Sequence, residues 1–246
     1  MVSKRQLDQY RQAQVALEAQ VARELNALWG AVEDLPLDEM RTVLVNEVPL
    51  VIDRYGRVGQ TMAAEWFEEL IHSNAFVPDL YSPDVWDAST RWAISPLFDE
   101  RKTVGTALSF LVRSAQRHVT NHSRQTISEN VARNKNVYFA RALGGKDPCG
   151  FCRVLASRGP VYGKTTVVRD KTGEKYHDDC HCVAVPMRGV WVPDKDAPTG
   201  ARWEGDQIAG FDFDKTYRED YAQFHQSGDK ITDVIRKMRK ERPGTR

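Results

Sequence analysis

Apolar residues recur at helical steps through the first half of the chain. Leu7, Tyr10, Leu17, Val21, Leu25 and Leu28 fall on one stripe, with Gln6, Asp8, Arg11, Glu18 and Arg23 on the other faces. Gly30 predicts the stop of this first helix. Met40, Leu44, Val48, Val51, Ile52 and Tyr55 predict a second. Pro49 should kink or split it, and Gly56 and Gly59 mark a break or a weak point. The stretch QTMAAEWFEELI predicts a further amphipathic helix with Met62, Trp66 and Leu70 on one side. Residues 74–83, holding Pro78 and Pro83 among polar residues, predict a loop. PDVWDASTRWAI predicts a short helix whose Trp86 and Trp92 read as core. Val104, Ala107, Leu108, Leu111 and Val112 predict a helix running to about Arg124. Its later turns carry Arg113, Arg117, His118, His122 and Arg124, which read as a solvated basic face.

The pattern changes after about residue 135. NVYFARAL, PVYGKTTVV and CVAVPM are short β-branched or aromatic runs separated by Gly, Asp and Pro. They predict a small antiparallel β region with the cysteines at its turns. Residues 189–212, with Trp191 and Trp203, read as an extended arm. Helical spacing returns weakly at Tyr217, Tyr221 and Phe224, then at Ile231, Val234, Ile235 and Met238, with Gly228 dividing two short helices. RKERPGTR reads as a frayed tail. The fold class is therefore α+β: a helical N-terminal half (1–134), a small antiparallel β module (135–190) that holds all four cysteines as a candidate zinc staple, and an extended arm with C-terminal helices (191–246).

Composition narrows the function classes. An apolar content of 41% supports a core, and a net charge of +1 makes no global claim on nucleic acid or membranes. No apolar run approaches the ~20 residues of a membrane span, so no membrane partner is expected. MVSKRQLDQYRQAQ has no apolar stretch after its basic residues, so it is not a secretory signal. Synthesis in a reducing cytosol follows. Charge is uneven: residues 31–100 carry 14 acidic and 4 basic side chains, whereas 101–158 carry 11 basic and 2 acidic. The plain reading is helix faces that attract one another within the fold. The functional reading is an acidic and a basic face that dock different partners. The basic 101–124 helix is then a candidate for weak contact with DNA.

All four cysteines lie in CGFC (149–152) and YHDDCHCVAVP (176–186). In a reducing compartment such a cluster binds metal more often than it forms disulfides. Cys149 and Cys152 have the two-residue gap of paired zinc ligands, and His177-x2-Cys180 repeats it. Cys180 and Cys182 would share a face if that stretch is a strand. The candidate ligands are thus Cys149, Cys152, His177, Cys180 and Cys182, with His181 adjacent, at least one more than a tetrahedral zinc needs. Two disulfides or four reduced thiols are the alternatives. Catalytic zinc fits less well, since Asp178 and Asp179 read as turn residues rather than a general base. GPVYGKTT falls one residue short of a phosphate loop. There is no GxSxG, HExxH or dinucleotide fingerprint, and no catalytic residue is assigned. His118, His122 and Ser157 are the loose candidates.

CGFCRVLASRGPVY followed by YHDDCHCVAVP resembles the C-terminal module of the Mu F-like head morphogenesis proteins of tailed bacteriophages. It is most similar to the portal-adjacent minor capsid proteins of actinobacteriophages. The matching positions are Cys149, Cys152, Gly159, His177, Cys180, Cys182 and Pro186, and the likeness covers roughly 60–186, more weakly in its helical part. The resemblance implies a minor capsid protein acting in head (procapsid) assembly, inside the phage head and, during assembly, in the host cytoplasm. It implies the portal and the major capsid or scaffold protein as partners. Similar gene products are also labelled capsid maturation proteases, which makes cleavage of the major capsid or scaffold protein the alternative function.

Overall fold

The computed structural model describes residues 1–80, 83–99, 104–144, 148–163, 182–197 and 199–241. α1 (Lys4–Val32) starts at a capping box: the Ser3 hydroxyl accepts from the Gln6 amide, and the Gln6 side chain accepts from the Ser3 amide. It runs through Gly30, two residues beyond which it ends. α2 (Leu37–Ile71) is one helix of 35 residues, so Pro49, Gly56 and Gly59 neither split nor end it. Val48, Val51 and Ile52 flank Pro49 and are buried. Their packing outweighs the roughly 3 kcal/mol cost of an interior proline.

The two glycines have a different use. Gly56 and Gly59 lie three residues apart, on one face of α2. A Cβ at Gly56 would come within 2.9 Å of the His122 ring, and one at Gly59 within 2.6 Å of the Ser123 hydroxyl. They form a notch into which α4 (Val104–Arg133) settles. α3 (Pro83–Ile94) and the 3₁₀ turn Ser95–Phe98 close the bundle on another side. The four helices share a core of Leu25, Trp29, Leu44, Ile52, Trp86, Ile94 and Leu111. Trp86 is core as expected. Trp92 is 54% exposed and stacks on Phe110 at the bundle surface.

α4 overturns the expectation of a solvated basic face. Ser114, His118, Thr120, Asn121, His122, Ser123, Arg124, Thr126 and Asn130 are all buried, and only Arg113 of the expected face is exposed. The helix continues to Arg133 because α1, α2, α3 and the sheet surround it. Its polar groups find local and long-range partners. Thr120 and Thr126 donate to the carbonyls of Gln116 and His122, and the Asn130 amide grips the backbone of Phe76 through both its N–H and its C=O. Residues 72–80 form the expected loop. The Gln60 amide also holds it, at the Pro78 carbonyl.

β1 (Val137–Ala142), β2 (Val183–Pro193) and β3 (Ala201–Gly205) form one antiparallel sheet in the order β1-β2-β3. Pro186 sits in the middle of β2, opposite Phe139. It is tolerated because Phe139 turns its own N–H and C=O away, to Tyr162, so no ladder bond is asked of the proline there. The expected extended arm is instead a hairpin: the outer half of β2 pairs with β3, and Trp191 faces Trp203 across it. Cross-strand aromatic contact holds the pair. The strand expected over PVYGKTTVV shows a single bridge at Tyr162, its later residues lying outside those described.

The sheet shares a core with α1, α2 and α4 through Leu7, Trp66, Phe67, Ile127, Phe139, Val185 and Met187. The Trp66 indole N–H donates to the Ala184 carbonyl across that contact. The chain's start is tied in as well, Val2 pairing with Ile208 after β3. α5 (Gly150–Ala156) interrupts the β region. The C-terminal helical spacing resolves into α6 (Phe213–Tyr217), a π turn over Arg218–Ala222, and α7 (Ile231–Glu241). Of the tail expected to fray, Arg239, Lys240 and Glu241 belong to the last turn of α7, and residues 242–246 lie outside those described. Among the described residues no helix is long and apolar enough to cross a membrane.

The glycine notch makes a paired prediction. Gly56→Ala should destabilise the protein by about 1–3 kcal/mol, because the buried His122 ring cannot move aside. Gly30→Ala meets nothing within 4 Å and should stabilise by up to about 1 kcal/mol through helix propensity alone. Guanidinium denaturation followed by circular dichroism checks both; a stabilising Gly56→Ala would refute the notch.

Candidate metal centre

CGFC forms the first turn of a helix rather than a turn between strands. Cys149 is the N-cap of α5, and its sulfur accepts the amide N–H of Cys152 at 3.3 Å. A cap residue with a lone-pair acceptor satisfies one of the helix's orphan amides. Cys152 faces inward from the same turn. Cys182 enters from the residue before β2. Cys152 and Cys182 are 3% and 2% exposed and pack with Leu143 and Cys149 in one small cluster. Three of the five candidate ligands, Cys149, Cys152 and Cys182, are therefore brought together. His177 and Cys180 lie outside the described residues, as does the expected shared face of Cys180 and Cys182. Among the described residues no group of three His, Cys, Asp or Glu side chains is arranged to hold a metal ion.

Two buried arginines meet the cluster. Arg124 of α4 donates to the Cys182 carbonyl at 3.1 Å, and Arg141 of β1 brings a guanidinium nitrogen 3.9 Å from the Cys182 sulfur. Each is 5% exposed. Arg141 also lies over the Tyr162 ring. Arg124 reaches toward Tyr10, whose hydroxyl burial holds well above the usual tyrosine range, against the opposing pull of Arg124 and Gln14.

α5 is short, yet each of its inner side chains serves a different neighbour. Cys152 enters the cysteine cluster, Leu155 the core under the sheet, and Val154 a third core with Phe224, Val234 and Met238. Arg153 pairs with the buried Asp220 at 3.6 Å. The C-terminal segment is thus a wall against α5, the helix that carries Cys152, which sequence spacing did not reveal. Of the other neighbours, Arg141 carried a usable signal: an arginine between two alanines in an otherwise apolar strand must be buried and engaged.

The loose catalytic candidates are used locally. His118 and His122 are fully buried in α4, His122 edge-on to Trp86 at 5.6 Å. Ser157 is 2% exposed, and its hydroxyl donates to the Val154 carbonyl at 2.8 Å.

A protein-family model described as VG15 protein matches residues 1–223, taking in the helical bundle, the cysteine site and the start of the C-terminal wall. No curated protein and no solved structure matches the chain.

Two outcomes follow for the wall. Met238→Ala should cost about 2–5 kcal/mol locally and expose the segment after Gly210 to trypsin before the bundle unfolds. The hydrogen bonds from Lys237 and from the Gln226 amide hold the Asp229 carboxyl below the usual carboxylate range. Its contribution is present above the unfolded carboxyl's pKa and is lost as pH falls through the lower folded value. Proteolysis of the C-terminal segment should therefore rise in acid, and Asp229→Asn should flatten that rise.

Proposed function

Because the chain belongs to the VG15 protein family, a family of phage proteins, we propose that it is a minor capsid protein acting in head assembly, associated with the portal or the inner capsid. The observation that carries the reading is the burial of the cysteine site. Cys152 of α5 and Cys182 at the start of β2 pack together, beside Arg124 of α4 and Arg141 of β1, rather than face solvent. Reactive cysteines occupy partly exposed positions, whereas buried ones act in structure. The burial of Cys152 and Cys182 supports a role in fastening the fold rather than in chemistry.

Cys149, Cys152 and Cys182, completed by His177 or Cys180, would hold a structural zinc. Thiolates are the ligands a soft tetrahedral ion prefers, Cys149 packs against the buried Cys152 and Cys182, and the ion would supply stability that a three-stranded sheet gains only in part from its own core. The protein should then purify with stoichiometric zinc. Cys152→Ser should lose the metal and lower the unfolding midpoint, while far-ultraviolet dichroism keeps most of its helical signal. Zinc-free protein of unchanged stability would overturn the staple.

The function is tested by co-expressing the chain with the portal and major capsid proteins of its own genome and purifying the particles. Retention of this chain with portal and an intact capsid protein is the expected result. Shortening of the capsid protein that depends on this chain would overturn it in favour of a maturation protease. The local bond of Ser157 and the burial of His118 and His122 speak for the first outcome.

A further inference from the structure

A groove runs between α1 and α2, outside the cysteine site. Tyr10 and Trp66 stack at its floor with ring centroids 4.8 Å apart and planes within 10°, and Ala13 and Met62 complete the apolar lining. Its rim carries Glu65 and Glu69, four residues apart on α2 and both exposed. Gln6 fixes Glu69 through a hydrogen bond of 2.7 Å, and Gln6 is itself locked by the capping box with Ser3. Among the described residues no ion pair engages Glu65 or Glu69.

We propose that this groove receives one arginine side chain from a partner protein. The cavity is about 260 Å³. That falls below the roughly 300–1,000 Å³ of small-molecule sites, yet it accommodates a single long side chain. An apolar floor with two carboxylates at the mouth matches a side chain with an aliphatic stem and a cationic head. The stem lies on Met62 and Ala13, and the head reaches Glu65 and Glu69. A guanidinium serves both carboxylates with its fork of N–H donors, which an ammonium point charge does not. Glu65 and Glu69 are a like-charge pair one turn apart, an unfavourable arrangement that an incoming cation relieves. The proposal stands on the groove alone and holds or fails independently of the head-assembly reading.

The probe is the peptide acetyl-Ala-Arg-Ala-amide, titrated into isotope-labelled full-length protein, with its citrulline analogue as the neutral isostere. The expected result is saturable shifts at the Trp66 indole N–H and the Met62 methyl, in the millimolar range. The citrulline peptide and the Glu65→Gln variant should each bind about tenfold more weakly, the factor that about 1.4 kcal/mol represents. An unchanged melting temperature for Glu65→Gln keeps the effect local. Equal binding of arginine and citrulline, or no shift at Trp66, would overturn the proposal. So would a concentration-dependent dimer in ultracentrifugation that Glu65→Gln abolishes, since a second copy would then fill the groove.

Discussion

The approach of α4 to α2 at Gly56 and Gly59 is the contact on which the rest of the molecule depends. It removes two side chains from one helix so that the His122 ring and the Ser123 hydroxyl of another can occupy their place. Once α4 is seated that deeply, α1 and α3 can pack on its flanks and the sheet can reach it from the side. A helix enclosed on all those sides would ordinarily be apolar throughout. α4 is not, and the consequence is a set of buried polar groups that must be satisfied within the fold. The threonines turn back to their own helix. Asn130 reaches the loop at Phe76, and Arg124 reaches the Cys182 carbonyl. The loop after α2 and the cysteine site are therefore positioned by the polar side chains of one central helix.

The same logic explains why the short α5 matters out of proportion to its length. Too short to be stable alone, it is held by its neighbours on every inward side, through Cys152, Val154 and Leu155. The Arg153–Asp220 pair adds an orientation that apolar contact does not supply. Because Asp220 is buried, removing Arg153 takes a close counter-charge from a carboxylate held out of water.

Periodicity made most of the fold legible. The helical stripe of Leu7 to Leu25 and the apolar runs at 137–142 and 183–187 stand where their spacing put them. What was misread shares one cause, tertiary packing that a local pattern does not contain. Glycine within a helix signals weakness until a partner helix is known to need the room, and proline signals a break until the flanking residues are known to be buried. The histidines and arginines of α4 look like a solvated face because charge usually is one. The hairpin of Trp191 and Trp203 was hidden because glycine, proline and aspartate outnumber the β-formers around it. At the site, spacing brought Cys149, Cys152 and Cys182 into view, but not the arginines or the C-terminal wall, which arrive from distant parts of the chain.

The pairing of Val2 with Ile208 sets an order on the making of this protein. The Met1 ammonium and Asp206 meet across 205 positions of sequence, and the Val2 amide bonds the Gln207 carbonyl at 2.7 Å. Contacts between such distant residues form late, since the loop they close is costly to bring together. On the ribosome α1 and α2 emerge early, yet the chain's first residues wait for partners that are translated only after β3. Leu7 and Tyr10 likewise lack the sheet side of their core until β1 and β2 are made, so the nascent bundle shows an apolar surface that only these later strands cover.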